Sequence, residues 1–185
     1  MTETRAYHHG DLRRALLAAA LEAIEEVGPA ALSLRDLARR AGVSHAAPAH
    51  HFGDKAGLLT ALAAQGFDLL AQKLIDADDV LEAGVAYVDF AVTHRAYFEV
   101  MFRPELYRAD DAELIAARER SGAALRSGVA TLPTGGAPGD TDRDALAAWS
   151  IAHGFATLWL AGALPERVGD DPRKAAREVL RRLAT

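Results

Sequence analysis

The side chains with the most chemical capacity are gathered near the start of the chain. Five of the seven histidines fall within residues 1–57, and cysteine is absent. Without a thiolate there is no cysteine nucleophile, disulfide framework or thiolate metal site. His50 and His51 are adjacent, and on a helix their side chains point about 100° apart, which does not suit a shared metal. No metal site and no cofactor are expected. His94, His153 and several acids could serve as bases. No nucleophile–base spacing and no Gly-rich phosphate loop accompanies them, so no enzyme is expected.

A different chemistry fits residues 33–55. Ser44, His45, Ala46, Ala47, Ala49 and His50 lie around the start of a short helix that follows Gly42. A helix entering a DNA major groove presents its N-terminal residues to base edges. On that geometry His45, Ala46, Ala47, Ala49 and His50 form the exposed face. Ser44 and the N–H groups of the helix start suit a phosphate. Lys55 is a second phosphate candidate, and Arg35 can reach a guanine edge or a phosphate. The same pattern also fits plain antiparallel helices joined by glycine turns.

The elements that position these residues are helical. The chain has 185 residues, of which 41 are Ala and 24 are Leu, against 10 Val and 4 Ile. Ala and Leu favour helices, whereas strands favour β-branched and aromatic residues. An all-α fold of about nine helices is expected. The first starts near Gly10-Asp11, carries Leu12, Leu16, Ala19, Ala20, Ala23 and Val27 on its apolar face, and stops at Gly28-Pro29. Ser33 caps the second, whose apolar residues are Leu34, Leu37, Ala38 and Ala41. Asp36 stands where the return partner of a capping box stands. Gly42 supplies the turn, with small Ala38 at the crossing. Ser44 caps the third helix, which runs through Phe52, and Asp54 caps the fourth, from Lys55 to about Ala77. Further helices are predicted at about 80–94, 95–103, 110–129, 142–163 and 172–184. Pro133–Asp140 reads as a loop, and no internal repeat is visible.

Charge divides the chain as well. The net charge is −5, yet residues 1–57 hold seven basic and seven acidic side chains, so the excess belongs to residues 58–185. An acidic total therefore does not exclude a nucleic-acid face in the first part. The start of the chain shows no apolar targeting segment, and a cytoplasmic location is expected. Residues 145–164 contain no charged side chain. Several small and polar residues interrupt the run, and no cationic bias flanks it, so it reads as a helix buried on several faces and not as a membrane span.

The stretch Leu34-Arg-Asp-Leu-Ala-Arg-Arg-Ala-Gly-Val-Ser-His-Ala-Ala-Pro-Ala-His-His-Phe-Gly-Asp-Lys55 closely resembles the DNA-binding domain of the tetracycline-repressor (TetR) family. Tyr7-His8-His9-Gly10-Asp11-Leu12-Arg13 resembles the opening of one branch of that family. Trp149-Ser150-Ile151-Ala152-His153-Gly154 resembles the Trp-His-Gly motif of its regulatory domain. The resemblance implies a helix-turn-helix head at residues 1–57 and a ligand-binding and dimerisation body at residues 58–185. Arg35, His45, Ala46 and Ala47 match base-contacting positions, and Ser33, Ser44, His51 and Lys55 match phosphate-contacting ones. His50 matches a position that meets a base or a phosphate. Ala49 stands where the family usually has Tyr.

The resemblance further implies a homodimer through residues 142–184, with Ala148, Ala152, Ala156, Ala161 and Ala163 at close approaches. Val179, Leu180 and Leu183 would form the apolar face of the last helix. The chain would be a ligand-responsive regulator, a repressor released from a near-palindromic DNA operator by a small molecule. Phe67, Tyr87, Phe90, Met101, Phe102 and Trp149 become candidate pocket walls, with His153, His94 and Tyr87 as polar handles. Few fixed charges fall in those segments, which suits a largely apolar effector. The other reading is a helical small-molecule binding protein whose DNA binding is weakened or lost.

Overall fold

The computed structural model describes the backbone of residues 3–130 and 140–182, and the side chains of residues 12–130 and 141–182. The Pro133–Gly139 part of the expected loop, Leu183 and the side chains of Tyr7–Asp11 lie outside the described residues. Among the described residues the chain forms nine α-helices, two single-turn 3₁₀ helices and no strand. The helices are α1 (Glu3–Ala31), α2 (Leu34–Arg40), α3 (Ala47–Phe52), α4 (Lys55–Ile75), α5 (Val80–Thr93), α6 (Arg95–Met101), α7 (Ala112–Val129), α8 (Asp140–Leu160) and α9 (Pro172–Arg181).

Several boundaries and caps differ from expectation. Helix α1 begins at Glu3, so Gly10-Asp11 lies inside it. Its geometry does break at Gly28, where φ is 76° and ψ 161°. Leu16, Ala20 and Ala23 are buried as expected, together with Leu17 and Ile24, but Val27 is 53% exposed. Ser33 sits at the start of α2 in extended conformation with no side-chain cap; its carbonyl accepts from Leu37 N–H instead. Asp36 does not close a capping box, because both of its carboxylate oxygens are taken by arginines. Ser44 does not cap α3 either. Ala46 holds that position, and Ser44 contributes only a carbonyl to Ala47 N–H at 3.0 Å. The cap at Asp54 forms as read, its Oδ1 accepting from Gly57 N–H at 2.8 Å, and Asp79 Oδ1 accepts from Glu82 N–H at 2.8 Å at the start of α5.

The chain divides into two compact units, Met1–Gly66 with Ala96–Ile115, and Phe67–Arg95 with Ala116–Thr185. This packing division does not coincide with the boundary at residue 57 expected from the sequence. In the first unit, Leu16, Ile24, Leu37, Leu58, Leu59 and Leu62 are fully buried. Gly66 lets α4 and α6 meet closely, since a Cβ there would stand 2.5 Å from Met101 Sδ. Met101 and Phe102 belong to this unit; Met101 is buried and Phe102 packs edge-on to Phe98.

In the second unit α5 is the central element and packs on both α8 and α9. Val85, Val88, Phe90 and Ala91 are buried on it. Leu180 of α9 faces Gly84, where an added Cβ would lie 2.8 Å from Leu180 Cδ1. Arg177 donates to both carboxylate oxygens of Glu82 at 2.7 and 2.6 Å, a forked geometry that joins α9 to α5. Helix α8 buries Ala145, Ala152, Phe155 and Ala156, while Leu146 and Leu158 are 57% and 48% exposed. Within the chain α9 buries Ala175 and Ala176, and Val179 is 39% exposed. Among the described residues helix α4, and not α8, is long and apolar enough to cross a membrane, with a mean hydropathy of 1.2; 61% of that stretch is buried within the chain.

Candidate DNA-binding head and effector-binding body

The turn from α2 to α3 is built by local backbone chemistry. Val43 N–H donates to Ala38 O at 3.0 Å and Gly42 N–H to Arg39 O at 3.2 Å. These two bonds close a Schellman end, which requires a left-handed residue just past the helix. Gly42 supplies it with φ of 66°. Without a Cβ, glycine adopts that conformation at no steric cost. Helix α3 then buries Pro48 and Phe52, four residues apart and therefore on one face. Ala46, Ala49 and His50 follow the complementary i, i+3, i+4 spacing and are exposed. Ser33, Arg35, Ser44 and His45 are also exposed, whereas Ala47, His51 and Lys55 are half-buried. The exposed candidates therefore lie on α2, on the turn and on the outward face of α3, with Ala47 and His51 on its flanks.

Most fixed charges around this face already have partners. Arg40 donates to both oxygens of Glu26 at 2.8 and 2.6 Å and to Asp36 Oδ2 at 2.7 Å. Arg39 donates to Asp36 Oδ1 at 2.5 Å. Hydrogen bonds from Arg40 and Arg39 hold the Asp36 carboxyl below its ordinary range, and the bond from Arg40 does the same for Glu26. Arg108 donates to Asp54 Oδ2, and Arg13 lies over the Phe52 ring at 5.3 Å. Lys55 donates to Ala30 O at 2.5 Å, which leaves two of its three N–H donors. Arg35 and His45 have no intramolecular hydrogen bond or ion pair among the described residues. Among those residues no group of three or more His, Asp or Glu could hold a metal ion. The His50 and His51 rings stand 5.6 Å apart at 75°.

The polar centre of the second unit was only partly visible in the sequence. Trp149 Nε1–H donates to Tyr87 Oη at 3.1 Å, and Tyr87 Oη lies 2.8 Å from His153 Nδ1. Indole N–H can only donate, so the phenolic proton is directed to Nδ1 of a neutral imidazole. Burial pushes the Tyr87 hydroxyl up and the His153 imidazole down from their ordinary values, which keeps both neutral. The spacing of Trp149 and His153 on α8 was readable, but their convergence on one hydroxyl of α5 was not. His94 stacks on Phe90, with centroids 5.0 Å apart, and burial lowers its pKa, followed by the nearby Lys73 charge. Phe67 lies under the Arg118 guanidinium. Thus Tyr87, Trp149 and His153 meet, and Phe90 and His94 meet, whereas Met101 and Phe102 belong to the first unit. Two recesses in this unit lie elsewhere. One of about 550 Å³ is lined by Arg167, Glu178, Val179, Arg181 and Arg182, and one of about 220 Å³ by Leu74, Asp78, Asp79 and Ser127 among others.

An all-helical chain with a Schellman-turned helix pair and a separate helical unit defines the class of helix-turn-helix regulatory proteins. Residues 16–62 match the bacterial regulatory proteins of the tetR family, and residues 80–183 match the tetracyclin repressor-like C-terminal domain. The chain belongs to the TetR family. It is 51% identical over 49 residues to the HTH-type transcriptional regulator BetI of Ectopseudomonas mendocina; that match covers 26% of this chain and only 25% of the relative. A Rhodococcus sp. RHA1 protein of unknown function is 35% identical, with 96% of each chain covered and a TM-score of 0.78. The TetR-family regulator PfmR of Thermus thermophilus is 22% identical, covering 91% of this chain and 96% of its own, with a TM-score of 0.62. AibR, solved with isovaleryl coenzyme A and operator DNA, is 15% identical over 91% of this chain and 95% of its own, with a TM-score of 0.64. The last two likenesses show the fold.

Proposed function

We propose that the chain is a ligand-responsive, non-enzymatic DNA-binding transcriptional regulator acting as a repressor in the cytoplasm. The carrying observation is the α2–Gly42–α3 unit, whose exposed residues leave Ala46, Ala49 and His50 on the face opposite Pro48 and Phe52. Residues 1–57 serve as the DNA-binding head and residues 58–185 as the effector-binding and dimerisation body. Arg35, Ser44, His45, Ala46, Ala47 and His50 meet bases or the adjoining backbone, and Ser33, His51 and Lys55 meet phosphates. A homodimer through residues 142–184 gives Leu146, Leu158 and Val179, apolar and exposed in the single chain, a surface to bury. Two-fold symmetry then sets α3 helices in successive major grooves about 34–36 Å apart on a near-palindromic operator.

A small, largely apolar molecule is the proposed effector, received near Tyr87, Phe90, His94, Trp149 and His153. The AibR complex supports a fold able to hold both an acyl-thioester ligand and DNA. The effector acts by favouring one of two body states whose head spacing no longer fits the operator. Titration of labelled upstream DNA at several salt concentrations tests the head. Salt-sensitive affinity is expected, because phosphate contacts release counterions. Absence of binding at low ionic strength rejects the regulator and favours the second reading, a helical small-molecule binding protein. Ala49 is what favours that reading, since its methyl group cannot reach a phosphate. Ala49→Tyr is expected to tighten DNA binding, and unchanged affinity removes the argument from that position.

A further inference from the structure

We infer that α3 reads its half-site through methyl groups and an imidazole, so that the operator places thymine methyl groups against Ala46 and Ala49. This rests on the DNA-binding reading above and specifies the chemistry of the sequence that is bound. Pro48 and Phe52 turn toward the core of the first unit, which fixes the rotation of α3. The face left outward is Ala46, Ala49 and His50, preceded by exposed Ser44 and His45. No Lys, Arg, Asn or Gln lies between Ser44 and Asp54. The long bidentate readers of guanine and adenine are therefore missing from the helix itself. In the major groove the one apolar feature of a base edge is the thymine C5-methyl, and alanine is a side chain that contacts it. Short side chains also allow the α3 backbone to approach the groove floor closely.

His45 and His50 are the donors that remain beside these methyl groups. Charged groups on the surrounding elements include Arg13, Arg14, Glu22, Glu25, Glu26, Arg35, Asp36, Arg39, Arg40, Asp54, Lys55 and Arg108. Glu26 and Asp36 are engaged by Arg40 and Arg39, Asp54 by Arg108, and Lys55 by Ala30 O.

The test uses the full chain and a randomised duplex pool. Selection at low ionic strength is expected to enrich a two-fold symmetric sequence with thymines at fixed places in each half. Replacing each such thymine by deoxyuridine removes only its methyl group. Affinity should fall about fourfold for each methyl that is buried. In the same duplex, His50→Gln should weaken binding without altering the deoxyuridine effect. If deoxyuridine changes affinity by less than twofold at every position, methyl readout is overturned while the regulator stands. If no sequence is enriched and no salt-sensitive binding occurs, the DNA-binding reading fails and takes this inference with it.

Discussion

The turn between α2 and α3 and the junction of α5 with α8 each depend on a few polar groups, but the two are built on opposite principles. At the turn, the essential bonds are backbone to backbone, within six residues, around one left-handed glycine. The charged side chains nearby are paired at the surface, where solvent screens them. At the α5–α8 junction, the bonds join side chains 62 and 66 residues apart in sequence, in surroundings that keep Tyr87 and His153 neutral. A local turn holds one conformation by steric exclusion. A nonlocal polar contact in an apolar setting holds one register by the cost of losing its partners. The first arrangement suits a rigid reading head, and the second suits a body that responds to a ligand.

That contrast can be broken most severely in the second unit. Phe90 is fully buried at the centre of α5, and Phe90→Ala should cost about 3–5 kcal/mol in urea unfolding, through lost burial and the cavity left behind. Next, Tyr87→Phe removes the hydroxyl shared by Trp149 and His153. A loss of about 1–3 kcal/mol is expected, two hydrogen bonds' worth. The same variant sharpens a pH prediction. Burial depresses the imidazoles of His153 and His94 in the folded chain, so the unfolded chain binds protons that the folded one refuses. Stability should therefore be at its full value above about pH 6.5 and decline as pH falls below it, toward the folded values. Thermal melts between pH 7.5 and 5 should show that decline, and His153→Gln should reduce its slope. A flat profile would mean that the junction is wet and not held by burial.

The head should yield smaller effects of a different kind. Gly42→Ala meets no neighbouring atom, so its cost is the left-handed backbone alone, about 1–2 kcal/mol. Operator affinity should fall by more than stability does, because α3 is aimed by that turn. The smallest shift is expected for Arg40→Gln. Its partners Glu26 and Asp36 are solvated, and the melting difference from the parent chain should vanish in high salt. A large, salt-independent loss would show that the Arg40 fork is structural and would erase the distinction between the two regions.

Much of the fold was legible because it is written locally. The glycines at 28, 42 and 53, the Asp cap at 54 and the Ala/Leu periodicity mark helix ends and helix faces directly. The errors also have local causes. Ser33 and Ser44 have the right chemistry for caps, but the Ser33 hydroxyl makes no cap bond and α3 starts after Ala46, two residues beyond Ser44. Val27 continues the apolar stripe of α1, yet the break at Gly28 follows it at once and it stays exposed. Sequence distance explains the rest. Met101 and Phe102 share the apolar bulk of Tyr87 and Trp149, and only packing assigns them to the other unit.

The sequence by itself determined an all-helical chain, its turn at Gly42, the candidate face of α3 and the placement of the acidic excess after residue 57. Each follows from propensity, from backbone conformations open only to glycine, or from simple counting. The tertiary structure decided which arginines are spent on carboxylates and that Pro48 and Phe52 orient α3. It also decided that one tyrosine hydroxyl on α5 gathers Trp149 and His153 from α8. Those outcomes depend on which residues far apart in the chain come within hydrogen-bond reach, and helical periodicity carries no information about that distance.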